Sequence, residues 1–322
     1  MVLTNEELKK IYFGAYEFRE TEDGYLKAFQ YSEKQMEYFN GAFIMWAERC
    51  DASSAKTLEF RTSAKKVSFD YKIIWKGSPD TFELCVDGLI SGIIHVKDIL
   101  DTGTIEWELP EGEKDVIIYL PADATVLIRN FTIDAGYERA KKGKKVLWLG
   151  DSITQGYGPL RSSNTYVSVA NRLLNFDIIN QGIGGYIYDK GSLMKMDGYD
   201  PDGIIVALGT NQHWEKDTTK IREYYETLTG IYGDRIPVLC ISPLWRGDLR
   251  FGMQDGLPAF TEFCEEIKKI AGAYPNVTVV DGMKLVPHFP EYYLDNLHPN
   301  CLGCEVYARN LVDEIRRIGF DK

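Results

Sequence analysis

Long apolar runs are missing from this chain of 322 residues. No stretch reaches the ~18 uncharged residues that a membrane-spanning helix requires, so none is expected. The opening residues, Met1 to Lys10, carry neither an apolar core nor a small-residue cleavage site, so no secretory leader is expected. Positive charge is also short: 37 Lys and Arg stand against 48 Asp and Glu, a net charge of -11. That balance excludes nucleic acid and anionic membrane as partners, because both are held by positive potential. Cysteines are few and scattered (Cys50, Cys85, Cys240, Cys264, Cys301 and Cys304), which fits reduced thiols and a cytoplasmic location better than a disulfide framework. Cys301 and Cys304 form a C-x-x-C without a second pair at zinc spacing, and read as small buried residues at the start of a helix. There is no H-E-x-x-H, no Walker loop and no G-x-S-x-G elbow. Gly182-Ile183-Gly184-Gly185 mimics the start of a dinucleotide fingerprint, but Ile187 occupies the third glycine position. No metal and no cofactor are expected.

What is present is a soluble composition, 44% hydrophobic and 26% charged, at a length that suits two domains. Up to about Gly136 the pattern has a period of two. Val67 to Ile73, Thr81 to Val86, Thr104 to Leu109, Val116 to Leu120 and Thr125 to Arg129 read as strands, separated by turns such as Gly77-Ser78-Pro79-Asp80 and Asp87-Gly88. This predicts an antiparallel β-sandwich of jelly-roll type over residues 1–140, with a short helix at Asn5 to Lys10. A basic joint from Arg139 to Lys145 reads as a solvated linker. Residues 141–322 then alternate strand and helix. Strands are expected at Val146 to Leu149, Phe176 to Asn180, Gly203 to Leu208, Pro237 to Ser242 and Val277 to Val280. Helices are expected around Ser163 to Leu174, Lys220 to Tyr232, Ala259 to Ala273 and Cys301 to Ile318. The fold class is therefore α/β, a doubly wound, flavodoxin-like parallel sheet preceded by the sandwich.

In a parallel sheet the loops after successive strands gather at one rim, where ligands and chemistry collect. The first strand ends at Gly150-Asp151-Ser152, the second at Asn180-Gln181-Gly182-Ile183-Gly184-Gly185, and the third at Gly209-Thr210-Asn211. The segment after the last strand carries Asp295-Asn296-Leu297-His298-Pro299. A serine hydroxyl is a weak nucleophile and needs a base, an acid that orients the base, and donors facing the oxyanion. The rim offers Ser152, His298 and Asp295 in those roles. The Ser152 amide, the Gly185 or Gly184 amide (Gly185 is favoured by its offset from Asn180) and the Asn211 carboxamide serve as donors.

Taken together, these blocks resemble the SGNH (GDSL-type) hydrolases, named for Ser, Gly, Asn and His contributed in this order. The resemblance covers about residue 145 to the end and implies the same roles for Ser152, Gly185, Asn211, Asp295 and His298. One departure is Gln212, where the family often has an aspartate. A sandwich ahead of such a domain resembles the arrangement in carbohydrate esterase family 2, which implies a serine esterase taking small acyl groups, above all O-acetyl, from a small-molecule or oligosaccharide ester. Trp214 and Trp245 are placed by sequence near the rim as sugar-stacking candidates, with His213 and Arg246 as hydroxyl partners; packing of the cleft wall is the alternative. His95 and His288 read as structural. The rival functions are a lipid- or thioester-directed acylhydrolase, an acyltransferase, and a non-catalytic carbohydrate-binding protein. The sequence leaves the oligomeric state open.

Overall fold

Apolar residues at alternate positions build two antiparallel sheets in the N-terminal part of the computed structural model, which describes residues 1–78, 80–214, 217–250 and 255–322. One sheet runs in the order Tyr12–Phe13, Thr57–Thr62, Lys114–Tyr119, Thr81–Val86, Leu89–His95, with Tyr137–Arg139 also paired to Thr57–Thr62. The other runs Glu17–Glu20, Leu26–Phe29, Thr125–Ile133, Lys66–Trp75, Thr102–Glu108. Between them lies one apolar core in which Phe60, Phe82 and Ile118 meet Phe69, Ile128 and Phe131. Each such side chain contributes about 1.5–3 kcal/mol on burial. Pro79, in the predicted Gly77 to Asp80 turn, lies outside the described residues.

The two sheets differ on their outer faces. Lys66–Trp75 alternates buried and partly exposed residues, as a half-solvated strand should, whereas every residue of Thr81–Val86 is buried. The polar face of the second strand is covered by the C-terminal half of the chain. There Arg161 makes a two-pronged ion pair with Glu83, Nε to Oε1 at 2.9 Å and Nη2 to Oε2 at 2.7 Å, and Ser163 Oγ donates to the same carboxylate at 2.6 Å. Burial opposes the Glu83 charge, but these hydrogen bonds outweigh it and hold its pKa below the usual range.

The C-terminal half is a five-stranded parallel sheet in the order Asp177–Gly182, Lys145–Gly150, Gly203–Ala207, Val238–Ile241, Val277–Val280. In sequence order this is 2-1-3-4-5, the flavodoxin-like arrangement. Tyr166–Leu174 and Cys301–Ile318 cover one face, where Val167, Ala170, Leu311 and Ile315 pack on Trp148, Ile205 and Leu239. Thr219–Tyr232 and Leu257–Ala271 cover the other, with Tyr225, Leu228, Ile267 and Ile270 against Leu147 and Ile204. The last helix starts where Asn300 caps it, its side chain accepting the Gly303 amide at 3.1 Å, and ends at Gly319 in the left-handed region.

Two features depart from the expectation. First, residues 33–49 are helical (Glu33–Ala42 and Ile44–Arg49) rather than strand. Ser32 and Gln35 form a reciprocal capping box that starts the first helix. Tyr31, Phe39 and Cys50 then join the core on one face of the parallel sheet, beside Leu149, Ile179 and Tyr186. Second, the basic joint is only partly solvated: Arg139, Lys141, Gly143 and Lys145 are exposed, but two of its lysines are pinned. Lys142 is buried in an ion pair with Glu59 at 2.5 Å, and the Lys144 ammonium donates to the Phe320 and Lys322 carbonyls. The cations pin the joint because backbone carbonyls and a buried carboxylate face it. Among the described residues no helix is long and apolar enough to cross a membrane.

Candidate active site

The strand Lys145–Gly150 ends in a tight turn at which Asp151 caps the one-turn helix Ser152–Gln155, its Oδ1 accepting the Ile153 amide at 3.0 Å. Ser152 is thus the first residue of a helix, with its amide free of an intrahelical acceptor and its hydroxyl at the rim. On the opposite side, Asp295 organises its own loop. Its Oδ1 accepts the amides of Leu297 at 3.1 Å and His298 at 2.8 Å, with Asn296, the residue after Asp295, at φ +62°. That turn explains the three-residue spacing: one carboxylate oxygen shapes the loop, and the other, Oδ2, lies 2.8 Å from His298 Nδ1. A carboxylate only accepts, so Nδ1 carries the proton and Nε2 presents its lone pair. Nε2 lies 2.8 Å from Ser152 Oγ. The structure therefore brings Ser152, His298 and Asp295 into one hydrogen-bonded chain.

Electrostatics follow from these contacts. Burial works against the Asp295 charge, but the side-chain and backbone hydrogen bonds from His298 overcome it and the pKa falls to about 2. Asp151 is the opposite case. Burial pushes its carboxyl up to about 6, against the lowering effect of the Ile153 amide and of the nearby His298. The Tyr157 ring meets the His298 ring edge-on with centroids 4.6 Å apart and limits its rotation.

The Asn180 to Gly185 loop runs beside Ser152. The Gly184 amide donates to Gln155 Oε1 at 2.6 Å, so it is spent. Gly185, at φ +75°, adopts a left-handed conformation that a side chain would strain, and its amide borders the same cavity as Ser152. Asn211 gives one amide hydrogen to the Tyr186 carbonyl at 3.0 Å, which leaves the other for a ligand. Ser152, Gly185, Asn211, Asp295 and His298 line one cavity of about 260 Å³ together with Tyr157, Leu297 and Arg49. Gln212, at the departure from the usual aspartate, accepts the Tyr188 amide at 2.8 Å through its side chain, a local bracing role.

The four sugar-binding candidates fall elsewhere. None of them lines this cavity. Trp245 is 4% exposed, with its ring stacked on His288 and tilted against Tyr293, so it packs the wall. Arg246 is buried and committed to Asp248 and to the Thr210 carbonyl, with Nη1 3.3 Å from His213 Nδ1. His213 lies against Phe260 and Trp214. Trp214 alone of the four is open, at 73%. The expectation placed them by strand end. Beyond the strand ends, however, Trp245 and Arg246 turn inward to core and ion-pair partners.

Sequence reasoning missed the residues that link the sandwich to the site. Ser54 Oγ donates to the Gln155 carbonyl at 2.6 Å and accepts from Asn180 Nδ2 at 2.8 Å. Gln155 Nε2 donates to Asp123, so the side chain whose oxygen holds Gly184 is itself fixed by a sandwich residue. Trp46 and Phe39 pack edge-on against Tyr186, at 4.9 and 6.0 Å between centroids. The one available signal was the Ser32-x-x-Gln35 capping box before Met36 and Phe39.

This strand order, with these four loops at its rim, defines the SGNH hydrolase class of fold. Residues 148–306 match the model of the GDSL-like lipase/acylhydrolase family. Solved structures extend the likeness to nearly the whole chain. A salicylyl-acyltransferase, SsfX3, from a tetracycline biosynthetic pathway superposes with a TM-score of 0.76 at 20% identity, over 96% of this chain and 94% of that one. A family two carbohydrate esterase from Cellvibrio japonicus gives 0.65 at 16% identity over 100% and 98%. One from Clostridium thermocellum, in complex with cellohexaose, gives 0.63 at 19% identity over 84% and 94%. No curated protein matches by sequence.

Proposed function

We propose that the protein is a serine esterase that removes small acyl groups, O-acetyl above all, from a carbohydrate. The observation that carries this reading is the hydrogen-bonded chain from Ser152 through His298 to Asp295. Ser152 Oγ attacks the ester carbonyl as His298 Nε2 takes its proton. The Ser152 and Gly185 amides and the free Asn211 amide hydrogen face the oxyanion. The alcohol leaves with the proton from His298, and water, activated by the same imidazole, hydrolyses the acyl-enzyme. Asp295 holds the tautomer and stabilises the imidazolium. Each oxyanion donor is worth roughly 3 kcal/mol of barrier.

A cavity of about 260 Å³ suits a small acyl group better than a long chain. The likeness to carbohydrate esterases in both halves of the chain supports a sugar as the alcohol. In this reading residues 1–140 are an accessory unit that braces the rim of a catalytic unit, residues 141–322.

Turnover of 4-nitrophenyl acetate against 4-nitrophenyl octanoate tests it. Acetyl is expected to be preferred, and Ser152→Ala to lose turnover by at least about 10³-fold while remaining folded. Preference for octanoyl would instead favour a lipid-directed acylhydrolase, and undiminished Ser152→Ala turnover would end the proposal.

A further inference from the structure

One charged side chain in the cavity belongs to neither the catalytic chain nor the oxyanion donors. Arg49 closes the second of the two helices within residues 33–49, Ile44–Arg49, and reaches the rim from the sandwich side of the chain. Its path is fixed by Gly184. A methyl group there would lie 1.8 Å from Arg49 Nη1 and 2.9 Å from both Cδ and Cζ, so the side chain runs against the bare peptide of the oxyanion loop. Met45, from the same helix, borders Gly185 less tightly, where a Cβ would lie 3.1 Å from its sulfur. Arg49 is half-buried.

No carboxylate completes it. Among the described residues the Arg49 side chain has neither a hydrogen bond nor an ion pair within 4.0 Å, although 48 acidic residues are present in the chain. The carboxylate that feels its charge is Asp123, and both Asp123 oxygens are already engaged, one by the Ser78 amide at 2.9 Å and the other by Gln155. The remaining ionisable groups on the cavity wall are Asp295, His298 and Tyr157, and Asp295 is committed to His298. A half-buried cation without a partner is costly to hold, and a planar five-donor fork matches a carboxylate with two parallel hydrogen bonds.

We propose that Arg49 binds a carboxylate carried by the ester substrate, an assignment that rests on the serine-esterase reading above. An acetyl group is too small to bear that charge, so in a deacetylation the carboxylate sits on the alcohol, and the substrate is an O-acetylated acidic sugar of the uronate type. If the acyl group itself carries the charge, the substrate is a dicarboxylic half-ester such as a succinyl ester. The shared chemistry is one carboxylate within reach of Arg49 while the ester carbonyl faces Ser152. The N-terminal helices then set substrate choice as well as bracing the rim.

The test uses matched pairs: acetylated methyl glucuronoside against acetylated methyl glucoside, and 4-nitrophenyl hemisuccinate against 4-nitrophenyl acetate. The first pair reads a charge on the alcohol, the second a charge on the acyl group. In the wild type one pair favours its charged member. In Arg49→Gln the charged-to-neutral ratio of kcat/KM falls about 10- to 100-fold, mainly through KM, the range expected for losing a charge-assisted hydrogen bond. Arg49→Lys restores part of it, because charge survives and the fork does not. A ratio unchanged in Arg49→Gln for both pairs, even with both rates reduced, reduces Arg49 to a brace for the loop and overturns the assignment. Calorimetric titration of glucuronate and succinate separates this from failure of the esterase reading. With no ester turned over, Arg49-dependent binding of either anion still supports the subsite. Absence of binding, or equal binding by Arg49→Gln, removes it.

Discussion

Two buried carboxylates, Glu83 at the sandwich contact and Asp151 at the rim, are held in opposite ways. Glu83 is fully enclosed, and its two oxygens meet a two-pronged arginine and the hydroxyls of Ser163 and Thr81, so its pKa is lowered. Asp151, equally enclosed, has fewer donors and is pushed up to about 6 by burial. At the interface Glu83 keeps its charge. At the rim Asp151 is held under strain beside Ser152. Function and bracing are therefore separable: changes at the rim should cost rate, and changes at the interface should cost stability.

The largest expected effect is at the rim. Asp295→Asn leaves a side chain of the same shape but offers the wrong hydrogen-bond partner to His298 Nδ1, and kcat should fall by about 10³–10⁴-fold. Denaturation midpoints should show the fold intact, and a loss of less than tenfold would deny Asp295 its role. Next comes the interface. Glu83→Ala leaves Arg161, Ser163 and Thr81 facing an empty buried site, and equilibrium denaturation should show a loss of about 3 kcal/mol. Folded Glu83→Ala should retain most of its kcat. Loss of rate without loss of stability would reverse the contrast between the regions.

The smallest effect tests the strain at Asp151. Its folded pKa, about 6, lies above the usual range of an aspartate, so the folded state binds the proton more tightly than the unfolded chain. The stability this contributes is fully present below about pH 4 and is lost as pH rises through about 6. Wild type should therefore gain stability relative to Asp151→Asn when the pH is lowered from 7 to 4.5, measured by denaturant titration at each pH. A parallel pH dependence in the two proteins would show that the carboxyl carries no such strain.

How much of this was legible in the sequence follows the same division. The geometry of the rim could be read because it is built from particular residue types at short fixed offsets. Gly150-Asp151-Ser152 makes a strand-to-helix turn, and Asp295 can shape its loop and hold His298 only from three residues away. The five parallel strands and their four covering helices were legible from apolar periodicity, with ends displaced by a few residues. The interface could not be read. Glu83 and Arg161 lie 78 residues apart, and Ser54 and Asn180 lie 126 apart, and none of these residue types is diagnostic on its own. Helices 33–49 were hidden by their brevity and by lying between strands, and Arg49 was hidden with them. Trp245 and Arg246 show the converse failure. Their position after a strand end was read correctly, but the direction of their side chains depends on His288, Tyr293 and Asp248, which no local pattern reveals.

The central claim is that Ser152 is made nucleophilic by His298 at the rim of the parallel sheet. Incubation with a fluorophosphonate, followed by intact-mass and peptide mapping, tests this most directly. Attack of the Ser152 oxygen on phosphorus with loss of fluoride should leave one adduct per chain, on Ser152, and Ser152→Ala should take up none. An unmodified wild-type protein, or an adduct on any other residue, would contradict the account.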